Sequence, residues 1–329
     1  MNDNKQKMCA LSITRESTIW LKYISIIFVI ITHSHWVGVQ ALENVPCLKD
    51  PVFTSIFCEG GMALLLILSG YGISCSVEKN HLKNYWDKRI INVLIPAILI
   101  QGAYFIIKTI IRKSIWADGL EIGSFFCLNT RNSLDTTMWY LSMLFFLYFL
   151  FWVIYLVFKK IYIAGILILI ASLIGFNFFR MNWGNAFYCI ICFPLGILYY
   201  ELSKKIEIIR IPIAIIIILT GYFVFFMICW QNFRKSHLLE NIGASAFAIS
   251  TILLFNLIRI KKCPKILKSS FFLYLLEFKI IIEPRFYTIE AIPKEFIFIL
   301  LFVVTAIISY ILMFMYEHFK VFINKTVLE

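Results

Sequence analysis

In a chain this apolar, the ionisable side chains inside hydrophobic runs are the ones with chemistry to offer. Two lie in the first such run, Lys22 near its start and His33 eleven positions on. Eleven residues of helix rise about 16 Å and turn about 1100°, within about 20° of three whole turns, so both groups look into one groove. An ionisable group at mid-membrane costs at least about 2.5–3.5 kcal/mol on insertion scales, so it is usually retained for a reason. A hydroxyl needs a base to become a nucleophile near neutral pH, and imidazole is the side chain whose unperturbed pKa suits that task. His33 is the candidate general base, with covalent relay through it as a less direct variant. The plainer readings are a Lys22 that snorkels to the headgroups and a His33 that caps a neighbouring helix.

Further polar groups recur along the chain. Glu59-Gly60-Gly61 opens the second apolar run, and Ser69-Gly70-Tyr71 sits at its middle. Small residues let helix backbones approach closely, which accounts for the glycines by packing alone. Glu59 falls near the expected level of His33. Lys79, Lys83, Lys88 and Arg89 precede a run that holds Pro96. Such a basic stretch sets topology, and it also suits the phosphates of a cytoplasmic cofactor. A late run holds Glu277 and Lys279, then Glu283-Pro284-Arg285. Two positions apart on a helix, Glu277 and Lys279 project in different directions and cannot simply pair, and Glu277 is expected to face the bundle interior. Met138-Trp139-Tyr140-Leu141 opens another run, where an aromatic belt is the ordinary reading.

These groups need a membrane scaffold to hold them. Hydrophobic residues make up 61% of the 329 and charged residues 15%, against about half and about a quarter in ordinary globular chains. The excess must face lipid, which excludes a water-soluble globule, a disordered chain, collagen and a disulfide-knit scaffold. The expected fold is all-α: a polytopic bundle of about ten transmembrane helices, forming a single domain over residues 1–329. The runs are 19–39, 60–77, 90–107, 138–158, 161–179, 183–200, 211–230, 242–258, 271–287 and 296–316. They are continuous, without the alternation of a membrane barrel. With the amino terminus inside, twenty Lys and Arg fall in inner segments and ten in outer ones, so both termini are expected in the cytoplasm. The net charge of +12 then reflects topology rather than nucleic acid. Cys189 and Cys192 form a CxxC inside an apolar run, read as helix packing; Cys47 and Cys58 share one outer loop and could pair there. No cleavable signal peptide and no appended soluble domain are expected.

The stretch from Lys22 to His33 resembles the first-span signature of the acyltransferase family 3 integral-membrane proteins, where a basic residue, usually Arg, precedes a His eleven positions on. Four segments are similar in order: Gly61 through Ser69-Gly70-Tyr71, Lys88-Arg89 through Pro96, Met138-Trp139-Tyr140-Leu141, and Ser269-Ser270 through Tyr274-Leu275. The resemblance covers essentially the whole chain. Lys22 stands for the usual Arg, losing its planar two-pronged contact. Asn92 stands where a second Arg often falls, and Glu277 follows Tyr274-Leu275 where a His is common.

The resemblance implies an O-acyltransferase of the cell membrane. It would move an acyl group, commonly acetyl, from cytoplasmic acyl-CoA to a hydroxyl of a cell-envelope or exported polysaccharide or a lipid-linked sugar. His33 would be the base, with Glu277 orienting a catalytic group or contacting the acceptor. Lys22, Lys88 and Arg89 would hold the donor; Trp139, with Glu59 and Ser69, would meet the sugar. No metal and no nucleic acid are expected. With the donor inside and His33 in the outer half, a donor tunnel or a re-entrant path is required. The rival is a carrier or flippase for a glycan or lipid-linked sugar, although its cue of broken spans in two matching halves is not obvious. A third reading is a catalytically lapsed partner protein.

Overall fold

Backbone in hydrocarbon must satisfy its own hydrogen bonds, so continuous runs of Leu, Ile, Val and Phe become helices. The computed structural model describes residues 8–36, 42, 45, 56–112, 135–183, 189–230, 237–282, 287 and 292–327. In chain order these form β1 (Met8–Ala10), α1 (Arg15–Trp36), a π turn (Ile56–Gly60) running into α2 (Gly61–Asn80), α3 (Tyr85–Arg89), a second π turn (Ile90–Leu94) and α4 (Ile95–Arg112). A 3-10 turn (Thr136–Met138) opens α5 (Trp139–Phe158), followed by α6 (Ile161–Trp183), α7 (Cys192–Lys205), β2 (Ile208–Arg210), α8 (Ile211–Trp230) and α9 (His237–Ile258). A 3-10 turn (Lys265–Ser269), α10 (Ser270–Ile280) and α11 (Lys294–Val327) complete the order. The fold is all-α with little sheet.

Among the described residues, seven stretches are long and apolar enough to cross a membrane: Arg15–Ser34, Ile56–Asn80, Tyr85–Ile107, Trp139–Phe158, Ile211–Cys229, Leu238–Ile258 and Lys294–Val321. Exposed Ile216, Leu219 and Phe223 on α8, with Ile299, Leu300 and Phe314 on α11, are the surface such helices turn to lipid. Two of the ten expected runs differ. The fifth is not one of them: it forms α6, a continuous helix of 23 residues over Ile161–Trp183. The sixth and ninth give α7, of 14 residues, and α10, of 11. An 11-residue helix rises about 16 Å, roughly half the hydrocarbon thickness. Hydropathy counts apolar residues without seeing where a helix stops. α10 ends on a wider turn, where the Ile282 amide reaches back five residues to the Glu277 carbonyl at 3.1 Å beside the ordinary helical bond from Ile281 at 2.8 Å. A short helix at depth is tolerable when protein rather than lipid surrounds it, and Leu273, Leu275 and Glu277 are fully buried.

Contacts divide the chain into two compact units. The first comprises residues 1–32, 45–81 and 144–264; the second comprises 33–44, 82–143 and 265–329. In the first, β1 pairs antiparallel with β2, Cys9 opposite Ile209. Side chains finish what two short strands cannot. The Tyr199 hydroxyl (2.8 Å) and Asn256 amide (3.3 Å) donate to the Leu11 carbonyl, and the Ile13 amide donates to the Tyr71 hydroxyl at 3.1 Å.

The tightest crossing in this unit joins α2 to α7. A Cβ on Gly70 would stand 2.0 Å from the Phe193 carbonyl oxygen, and one on Gly196 would stand 2.2 Å from that of Ile67. Neither obstacle is a side chain that can swing away. Gly196→Val is therefore expected to lower the unfolding midpoint of the solubilised protein, by roughly 2 kcal/mol or more of stability. Gly72→Ala, whose Cβ would meet nothing within 4 Å, should not. A Gly196→Val midpoint equal to that of the Gly72→Ala control would contradict this crossing.

Candidate active site

Three elements of the second unit converge: the end of α1, the 3-10 turn before α5, and α10. Each residue of a helix turns about 100°, so Glu277 and Lys279 leave α10 in diverging directions and each finds its own partner. Glu277 Oε1 lies 3.0 Å from Nδ1 of His33, with the carboxylate fully buried and the imidazole 15% exposed. Lys279 Nζ donates to Asp135 Oδ2 at 2.5 Å, both side chains buried, and to the Leu275 carbonyl at 2.7 Å. Its ammonium also stands 5.4 Å from the centre of the Tyr104 ring on α4.

Asp135 is held in turn. Its Oδ1 accepts the Thr137 amide at 2.9 Å and the Thr137 hydroxyl at 2.6 Å, so the carboxylate caps the 3-10 turn. The Tyr274 hydroxyl donates to the Thr137 carbonyl at 2.6 Å, and its ring meets Tyr140 edge-on at 5.9 Å. Two polar tethers at positions 277 and 279 thereby set the rotation of α10. Turning it by one residue would break both. The exposed edge of His33 beside a fully buried carboxylate is an arrangement suited to proton transfer. A carboxylate on one ring nitrogen fixes the tautomer and leaves the other nitrogen to act as base.

The other expected site residues lie as follows. In the second unit, Trp139 is half-buried against Tyr140. Lys88 is exposed, whereas Arg89 is buried, donating to the Tyr85 carbonyl at 2.7 Å with its guanidinium 4.0 Å over the Tyr85 ring. Asn92 accepts from Lys320 at 3.1 Å, so a cation stands beside that position after all. In the first unit, Lys22 is half-buried, Ser69 spends its proton on the Leu65 carbonyl at 2.7 Å, and the Glu59 backbone carbonyl accepts from the Cys189 thiol. The CxxC is packing: Cys192 sits 3.2 Å from Ser245. Cys47 and Glu283-Pro284-Arg285 lie outside the described residues.

Sequence reading missed Asp135 and left Lys279 without a partner. Asp135 falls in the polar stretch between the 90–107 and 138–158 runs, outside every apolar run. The available signal was local, an Asp two residues before Thr137 at the mouth of an aromatic run, which is a capping pattern.

A family model described as an acyltransferase domain matches residues 16–317. The chain belongs to that acyltransferase family. This is the family of the five ordered motifs, and the match takes in α1 through most of α11, with His33, Asp135, Glu277 and Lys279 all inside it. No curated protein and no solved structure matches this acyltransferase. With its seven long apolar helices it is a membrane protein.

Proposed function

We propose that this acyltransferase moves an acetyl group from acetyl-CoA to a hydroxyl of a cell-envelope or exported polysaccharide, or of its lipid-linked precursor, with His33 as general base. The observation that carries the reading is the 3.0 Å contact between His33 Nδ1 and Glu277 Oε1. With Glu277 ionised, Nδ1–H donates to it and Nε2 presents its lone pair. Nε2 takes the acceptor's proton as the hydroxyl oxygen attacks the thioester carbonyl. The C–S bond breaks, the new O-acyl bond remains, and the imidazolium returns its proton to the departing thiolate. Glu277 stabilises the imidazolium between these events.

Lys88 and Arg89, with Lys320 beside Asn92, form the cationic end that suits donor phosphates. Lys22 is also assigned to the donor, and Trp139 offers a face on which a sugar ring stacks. Glu59 and Ser69 are assigned to the acceptor side. The excess of Lys and Arg in the inner segments supports a cell-membrane protein with both termini in the cytoplasm, and the donor would reach His33 by a tunnel or a re-entrant path. Membership in an acyltransferase family favours group transfer over carriage of an unmodified glycan.

The test is a mass comparison of envelope glycans from cells with and without the protein. A difference of one acetyl unit, lost on deletion and restored by the gene, is the expected result. Identical masses with altered glycan export would favour the carrier instead.

A further inference from the structure

The buried face of α4 carries Ala97, Gln101 and Tyr104 at helical spacing, while Leu99, Ala103, Ile106 and Ile107 are exposed. Tyr104 lies beneath the Lys279 ammonium, so this face is turned toward α10. Gln101, one turn away, is 1% exposed, yet neither its Oε1 nor its Nε2 has a hydrogen-bond partner among the described residues. On α10, the second carboxylate oxygen of Glu277 is in the same condition. A buried carboxamide without partners lowers stability, most steeply where no water can reach it. Leu or Met would fill the same space without that cost. An orphaned group kept in a native structure therefore calls for a physical explanation.

We infer that Gln101, with Oε2 of Glu277, forms the recognition site for the hydroxylated acceptor, and that Gln101 is its specificity-determining residue. This rests on the acyl-transfer reading above and names which side of that reaction the site serves. The unpaired atoms are two acceptors, Gln101 Oε1 and Glu277 Oε2, and one donor nitrogen with two protons. The thioester group itself offers only acceptors, so it could answer the nitrogen but neither oxygen. The amides and hydroxyl of the donor's pantetheine arm could answer both, and a Gln101→Met change that raises the acetyl-CoA KM instead of the acceptor KM would assign the site to the donor and overturn this inference. A metal cation could answer the oxygens but not the nitrogen. A hydroxyl both donates and accepts, and a neutral ring carrying several of them matches the whole set. Glu277 then has one oxygen for His33 and one for the acceptor, which brings the hydroxyl to be acylated beside its base.

The experiment uses the full chain in lipid nanodiscs, with methyl glucoside, galactoside and mannoside as probes and their per-O-methylated forms as controls. The controls keep acceptors and lose donors. At least one free sugar should raise the unfolding midpoint, and its methylated form should not. Gln101→Met should unfold at or above the wild-type temperature without sugar, because an unpaired polar group is gone. It should lose the sugar-induced rise. With acetyl-CoA present, its acceptor KM should increase about tenfold or more, with the acetyl-CoA KM unchanged. Gln101→Asn, which retains the amide one methylene short, should lose only part of the sugar response. A sugar-induced rise that persists in Gln101→Met, or is absent from the wild type for all three sugars, overturns the assignment. A Gln101-dependent rise without any acetyl transfer supports the binding site and sinks the acyl-transfer reading instead.

Discussion

His33→Ala is expected to reduce acetyl transfer by about 10²–10⁴-fold, the contribution typical of a positioned general base. The change takes from the fully buried Glu277 carboxylate its imidazole partner, so transfer is expressed per unit of folded protein in the membrane. Labelled acetyl-CoA and membranes containing the protein measure this directly. Glu277→Gln keeps a hydrogen-bond acceptor near Nδ1 but removes the charge that stabilises the imidazolium. Its loss should be smaller, about 10–100-fold, as for other groups that orient a histidine. Added imidazole should restore part of the His33→Ala activity and none of the Glu277→Gln deficit. Retention of more than a tenth of wild-type transfer by His33→Ala would remove the imidazole from the mechanism.

Lys279→Met should be among the most destabilising single changes in the chain. It takes from the buried Asp135 carboxylate the ammonium that stands 2.5 Å from it. Breaking one side of a buried ion pair costs about 3–5 kcal/mol, because a desolvated charge loses the partner that offset its burial. Adding Asp135→Asn to Lys279→Met removes that charge while keeping an oxygen to cap the 3-10 turn. The double variant should therefore recover most of the lost stability, with a coupling of roughly 2 kcal/mol or more in a double-mutant cycle. Unfolding of the solubilised protein provides the readout. Additive losses, with the double variant weaker than either single one, would show that Lys279 and Asp135 do not act as a pair. The same tether sets the rotation of α10, so a recovered double variant with impaired transfer would mark the pair as positioning Glu277 toward His33.

Much of the architecture was legible in composition. A chain with 61% hydrophobic residues in long continuous runs has one physical solution in lipid, the helix. The boundaries of α5, α8 and most of α2 follow from where apolar residues begin and end. The α1 assignment was readable for the same reason, and the five ordered motifs identified the family later matched over residues 16–317. Hydropathy failed at α10, where a stretch apolar enough to resemble a span stops after 11 residues. Its last turn widens, the Ile282 amide reaching back five residues to the Glu277 carbonyl, a backbone change that no count of apolar residues detects.

Local spacing determined that His33 is a chemically capable group within an apolar helix, and that Glu277 and Lys279 could not pair with each other. Both statements follow from 100° per residue and from the cost of charge in hydrocarbon. Spacing could not name partners. Glu277 meets a histidine 244 positions earlier, and Lys279 meets an aspartate 144 positions earlier. Only tertiary packing chooses among the chain's remote charges, because contact energy depends on distance in space and carries no trace along the sequence. The same holds for Gln101, an ordinary polar residue by sequence, whose isolation becomes visible only when everything around it is in place.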